Sequence, residues 1–242
     1  MPRFYCPPPL PDGQKFELPA DAAHHAIRVL RLRETDSVEI FDGQGNAVQG
    51  VIDGLTGKRV VIGDLRRVSS DRESPLSITL AQSLTGSEKM DWIVQKATEL
   101  GVSEIQPLDT ERSVARLTAE RTAKRLEHWQ QVIVSACEQC GRNVLPRIHP
   151  PVDVMAWLDG MRANTGTKLI LLPDATVTLK GLSAATQPLV LLIGPEGGFA
   201  KVEADSAIDC GFQAIRMGAR VLRTETAAIA GLAALQTFWG DY

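Results

Sequence analysis

The sequence predicts an α/β protein in two parts: a small β-rich unit, then a larger domain in which strands and helices alternate around a parallel sheet. Three observations carry this expectation. Residues 1 to about 70 hold short, partly alternating runs containing Val and Ile, separated by turn residues, whereas from Leu76 onward strand-like and helix-like segments take turns. Residues 189–193 form an unbroken apolar run, the pattern of a strand buried on both faces. Between the parts, Ser69-Ser70-Asp71-Arg72-Glu73-Ser74-Pro75 is polar, charged and closed by a proline, as a linker would be.

In the first unit, 15–18, 37–41, 47–53 and 59–65 are the expected strands. Asp42-Gly43-Gln44-Gly45-Asn46 supplies hairpin chemistry, since its residues tolerate positive φ. The proline-rich stretch 7–11 suits neither helix nor central strand. A short helix is expected after Asp21, which can cap it. Arg28, Arg31 and Arg33 follow with no acidic neighbour before Glu34, a grouping that suits phosphate contact; a solvated helix face is the alternative. His24 and His25 are adjacent and project apart on a helix, and His128 and His149 lack Cys or carboxylate neighbours at ligand spacing, so no metal motif is read.

In the second part, 76–81 is a strand and 87–100 an amphipathic helix with Met90, Ile93, Val94 and Ala97 on one side and Gly101 placed to end it. The next strand is 102–107. Arg112, Arg116, Arg121, Lys124 and Arg125 form a second basic group, before and within a helix over 118–140. Its apolar stripe is Leu126, Trp129, Ile133, Ala136, Cys137 and Cys140, so the Cys137/Cys140 pair reads as packing rather than as a redox or metal motif. Strands over 168–172, 189–193 and 212–216 precede a last helix, 224–239, with Thr224 as its cap. That helix is apolar nearly all round, and Ala227, Ala230, Gly231 and Ala234 permit close approach, which points to a homodimer.

Strand 189–193 runs into Gly194-Pro195-Glu196-Gly197-Gly198, and 212–216 into Met217-Gly218-Ala219-Arg220-Val221-Leu222. Glycines without Cβ let backbone approach a ligand, and loops after neighbouring parallel strands converge at their carboxyl ends, so together they form a pocket. Taken singly, the first loop reads rather as a plain strand-to-helix turn, and it is the second loop that favours a pocket. It is no P-loop, because Phe199-Ala200 stand where Lys and Ser/Thr are needed, and it falls too late for a dinucleotide fingerprint. A length of 242 residues with 44% hydrophobic and 23% charged residues allows a substantial core. The net charge of −3 confines any nucleic-acid surface to a local patch. No apolar run of spanning length, no signal-peptide build and four scattered cysteines suit a cytoplasmic protein.

With these residues in place, the chain resembles the ribosomal RNA small subunit methyltransferase E family of the SPOUT superfamily. The likeness rests on five blocks in order: His24-His25 through Val29-Leu30-Arg31, Gln95 to Val102, Glu138-Gln139 followed by Gly141-Arg142, Ile193 to Phe199, and Leu222 to Ala227. The resemblance implies a PUA-like RNA-binding β-barrel over 1–72 and a SPOUT α/β methyltransferase domain with a deep trefoil knot over 73–242. It also implies a homodimer, S-adenosyl-L-methionine as cofactor without metal, and methylation of N3 of a uridine in 16S ribosomal RNA of the small subunit. The implied cofactor contacts are Leu172, Pro173, Gly194, Pro195, Glu196, Gly197, Gly198, Met217, Gly218, Val221, Leu222 and Thr226. Since the uracil N3 proton must leave, Arg223, Glu225 and Glu196 are the candidates for catalysis, and Arg28, Arg31, Arg33, Arg112 and Arg116 for RNA binding. A non-catalytic ribosome assembly factor that keeps this fold is the alternative.

Overall fold

In the computed structural model, which describes residues 1–10, 13, 15–69, 72–115, 118–182, 185 and 187–242, the chain divides into two units. The first is Met1–Glu73 with Val134–Leu145, and the second is Ser74–Ile133 with Pro146–Tyr242.

The first unit holds β1 (Arg3–Tyr5), β2 (Lys15–Glu17), α1 (Ala20–His24), β3 (Ser37–Phe41), β4 (Ala47–Thr56) and β5 (Arg59–Val68). These strands form one mixed sheet in the order β1-β3-β4-β5-β2, with β1 parallel to β3 and the remaining pairs antiparallel. Phe4, Ile40, Ile52 and Ile62 are fully buried on its inner side with Ala23 and Ala26 of the helical segment. Gly50 marks a register shift between β4 and β5: a Cβ there would lie 2.6 Å from Cγ2 of Ile62 and 2.7 Å from the carbonyl of Gly63, so no larger residue fits. The hairpin expected at Asp42–Asn46 is present, with Asp42 Oδ1 accepting the N–H of Gln44 at 2.7 Å and of Asn46 at 3.1 Å.

Two features of this unit differ from the sequence reading. Strand β1 was not anticipated; its three residues are too few to show alternation, and it is held by pairing with β3. Asp21 does not cap α1. The helix begins at Ala20, with Ala23 N–H bonded to the Pro19 carbonyl at 2.8 Å, so Asp21 sits inside the first turn, where its charge meets the positive end of the helix. After α1 the chain makes a π-helical turn over His25–Val29.

The second unit holds β6 (Ile78–Ser83), α2 (Ser87–Glu99), β7 (Glu104–Asp109), α3 (Ala119–Cys140), β8 (Arg147–Ile148), β9 (Val152–Asp153), α4 (Val154–Met161), β10 (Thr167–Leu171), β11 (Leu189–Ile193), α5 (Lys201–Asp209), β12 (Gln213–Ile215) and α6 (Thr224–Trp239). Only the last turns of α3 belong to the first unit. There Arg3 donates to the Gly141 and Arg142 carbonyls at 2.6 and 2.9 Å and pairs with Glu39 at 2.9 Å. The strands form an all-parallel sheet in the order β12-β10-β11-β6-β7-β8, with β9 beside β7. All five residues of β11 are buried, as their unbroken apolar run predicts. Helix α2 buries Met90, Ile93, Val94 and Ala97, and stops where Gly101 takes a φ of +81°. Helix α3 buries Trp129, Ile133, Ala136 and Cys137; hydrogen bonding with Cys140 and burial push the Cys137 thiol far up, out of the reactive range. Among the described residues, no helix is long and apolar enough to cross a membrane.

Helices α4 and α5 and strands β8 and β9 were not anticipated. The helices have eight and nine residues, and the strands two each. Elements this short depend on tertiary support, such as the buried ammonium of Lys168, which donates to the carbonyls of Met161 and Cys210 at the ends of α4 and α5.

Candidate functional site

A cavity of about 560 Å³ opens at the carboxyl ends of the neighbouring strands β10, β11 and β12. This is where parallel sheets hold ligands, and the volume suits a small molecule. Leu171, Leu172 and Pro173 line it from β10, Ile193 to Phe199 from β11, and most of Arg216 to Thr224 from β12, with Lys89 of α2 and Ala227 of α6.

The loops are set by glycine and by buried polar bonds. Gly198 and Gly218 have φ of +69° and +84°, the left-handed region that other residues rarely adopt. Gly198 N–H closes a turn on the Pro195 carbonyl at 2.9 Å. Beneath the loop, Ser83 Oγ donates to the Ile193 carbonyl at 2.9 Å. Thr224 does not cap α6. Its hydroxyl accepts from Gln82 Nε2 at 3.0 Å and donates to the Gly194 carbonyl at 2.6 Å, joining β6, the glycine loop and the start of α6, while Arg223 occupies the cap position with no side-chain bond.

Two carboxylates converge on one ammonium. Lys89 Nζ lies 3.0 Å from Glu196 Oε1 and 3.9 Å from Glu225 Oε2. Glu196 Oε1 also accepts the Thr85 hydroxyl. Partial burial opposes ionisation of Glu196, but the bonds from Thr85, from its own backbone and from Lys89 prevail and hold its carboxyl below the ordinary range. Glu225 Oε2 is out of solvent and accepts no hydrogen bond among the described residues. At the mouth, Arg216, Arg220 and Arg223 are exposed, and no carboxylate pairs with them among the described residues.

Of the residues singled out from sequence, Leu172, Pro173, Gly194, Pro195, Glu196, Gly197, Gly198, Met217, Gly218, Val221, Leu222 and Arg223 all line this cavity. Glu225 stands behind it at Lys89, and Thr226 is exposed outside the lining. Arg112 is exposed and donates to the Gly197 carbonyl at 3.2 Å, with its stem against the bare Cα of that glycine. Arg116 lies outside the described residues. In the first unit Arg28, Arg31 and Arg33 are exposed, have no carboxylate partner among the described residues, and flank Val29 and Leu30, which are 63% and 40% exposed. Sequence reading missed Lys89, Leu171, Ile193, Phe199, Arg216 and Ala227 as lining. For Lys89 no local signal exists, because the residues it meets lie more than a hundred positions away. Among the described residues, no cluster of three or more His, Cys, Asp or Glu could hold a metal ion.

Residues 72–236 match the family model described as an RNA methyltransferase domain, and residues 18–65 match an RNA methyltransferase PUA domain. The chain is 34% identical to the ribosomal RNA small subunit methyltransferase E of Buchnera aphidicola, over 100% of this chain and 95% of that one. It is similar to the crystal structure of the ribosomal RNA small subunit methyltransferase E of Neisseria gonorrhoeae bound to S-adenosyl methionine, at 41% identity and a TM-score of 0.93, covering 100% and 99% of the two chains. A Legionella pneumophila protein in complex with the cofactor SAM is 38% identical, with a TM-score of 0.90 and coverage of 99% and 98%.

Proposed function

The chain belongs to the ribosomal RNA small subunit methyltransferase E family, and on that premise we propose that it transfers a methyl group from S-adenosyl-L-methionine to N3 of a uridine in 16S ribosomal RNA. The observation that carries the reading is the convergence of three strand ends on one cavity in a chain that matches cofactor-bound relatives along its whole length.

The residues present fit that cofactor. The cavity has the right volume and carries bare glycine backbone, apolar walls at Leu172, Val221 and Leu222, and the anionic Glu196, with Glu225 behind it, which suit a sulfonium. When bound, the cofactor supplies an electrophilic methyl whose sulfur keeps the bonding electron pair. The chain's part is to position the two reactants and to deal with the N3 proton. Leu172, Pro173, Gly194 to Gly198, Met217, Gly218, Val221 and Leu222 hold the donor. Glu225 is the better proton acceptor, because its Oε2 accepts no hydrogen bond whereas Glu196 Oε1 already takes two. Arg223, exposed and without a carboxylate partner among the described residues, holds a uracil oxygen or the adjacent phosphate.

In the same reading, residues 1–72 form a PUA-like barrel that grips RNA through Arg28, Arg31 and Arg33, and residues 73–242 form a SPOUT methyltransferase domain to which Arg112 and Arg116 add RNA contacts. A deep trefoil knot in this domain is the part of the reading that the family likeness implies, and the parallel order with β11 between β10 and β6 is compatible with it. In this reading the protein works in the cytoplasm as a homodimer, and the half-buried Ala227, Ala230 and Ala234 and the exposed Phe238 support a dimer contact through α6.

The test is the methylation state of 16S ribosomal RNA from cells lacking the protein. Loss of one 3-methyluridine is expected, and an unchanged modification map would overturn the reading. In the purified protein at saturating donor, Glu225→Gln and Arg223→Ala should each lower turnover by about tenfold or more. Unchanged turnover in both would remove them from the chemistry.

A further inference from the structure

The three charges at Lys89 have an uneven count. Glu196 comes from the loop after β11, Glu225 from the first turn of α6, and both face the single ammonium of Lys89, at 3.0 and 3.9 Å. The cluster therefore carries one negative charge in excess. Its members are partly shielded: the side chains of Glu225, Glu196 and Lys89 are 16%, 28% and 39% exposed. Arg216, Arg220 and Arg223 also lie at the cavity, but they are exposed and solvated. Since Thr85 holds Glu196 independently of Lys89 and no described residue donates to Glu225 Oε2, the ammonium is, among the described residues, the one group paired with both carboxylates.

We infer that Lys89 is a positioning residue that sets the net charge beside the cavity, and that this charge makes the protein favour a cationic sulfonium ligand over the same ligand with a neutral thioether. The inference rests on the functional reading above and deepens it. Methyl transfer turns a sulfonium into a thioether while every other group of the ligand keeps its charge. An excess negative charge at the cavity wall therefore acts on donor and spent product differently, holding the first and helping to release the second. Because partly buried charges are screened much less than exposed ones, their Coulomb energy falls slowly with distance, and this effect needs no direct contact between Lys89 and sulfur.

The experiment is calorimetric titration at pH 8 of S-adenosylmethionine and of S-adenosylhomocysteine into the full chain and into Lys89→Met, Lys89→Arg and Glu225→Gln. Lys89→Met removes the positive charge, leaves both carboxylates uncompensated and should shift the affinity ratio about tenfold toward the sulfonium. Glu225→Gln removes one and should shift it a similar amount the other way, and Lys89→Arg should keep the original ratio. A purely structural role would weaken both ligands together in all three variants and leave the ratio fixed, and that outcome overturns the inference while the functional reading stands. Failure of the unaltered protein to bind either ligand would overturn the functional reading and the inference with it.

Discussion

The two units handle charge in opposite ways. In the first, Arg28, Arg31 and Arg33 stand exposed on a turn, with no carboxylate partner among the described residues, whereas the shielded guanidinium groups of Arg3 and Arg142 are paired with Glu39 and Glu73. In the second, carboxylates from a glycine loop and from the first turn of α6 are gathered around one ammonium at a glycine-walled cavity. The first arrangement attracts a polyanion from a distance and is weakened by salt. The second acts over a few ångströms on a small ligand and is far less screened. The contrast can be broken or sharpened by changing one region and reading the function of the other.

The largest effect is expected from the cavity wall. Gly198 has a φ of +69°, so Gly198→Val puts a β-branched residue where only glycine is at ease, in a loop that lines the site. Affinity for S-adenosylmethionine should fall by about a hundredfold or more by calorimetry, with RNA binding in a filter assay largely kept. Parallel loss of both would contradict separate sites.

An intermediate effect is expected from the basic turn. Replacing Arg28, Arg31 and Arg33 by Gln should weaken RNA binding roughly tenfold or more at low salt and reduce the slope of log affinity against log salt by about 2, near 0.7 per lost phosphate contact. Donor affinity should stay within about twofold. An unchanged slope would leave the turn as a solvated surface.

The smallest effect is on stability against pH. The carboxyl of Glu196 is held below its ordinary value of 4.5, so its ionised form favours the folded state. That contribution is present in full above the ordinary range and is lost as pH falls through the lower folded value. The stability gap between the unaltered protein and Glu196→Gln, from urea titration, should therefore be larger at pH 6 than at pH 4. A gap that is equal or grows on acidification would show that the bonds from Thr85 and Lys89 do not favour the charged form.

The same contrast explains how much was legible in the sequence. Periodicity revealed α2 and β11, because their burial is one-sided in the one case and complete in the other, and each leaves its own repeat. Glycine spacing revealed most of the cavity wall, since positive φ at Gly198 and Gly218 demands glycine whatever surrounds it. What stayed hidden was set by partners distant in sequence. Thr224 reads as a helix cap until Gln82 and Gly194 are seen on either side of it, and β1 has no pattern apart from β3. Lys89 reads as one exposed charge on an amphipathic helix until Glu196 and Glu225 close around it. The excess of arginine at 28, 31 and 33 was visible, but its exposure was not.

The most direct test of the central claim is transfer itself. The purified protein would be incubated with small ribosomal subunits from cells lacking it and S-adenosylmethionine labelled in the methyl group, and the RNA digested to nucleosides. One label per subunit, co-eluting with 3-methyluridine, is the predicted result. Donor bound by the protein but no label in the RNA, or label in any other nucleoside, would contradict it.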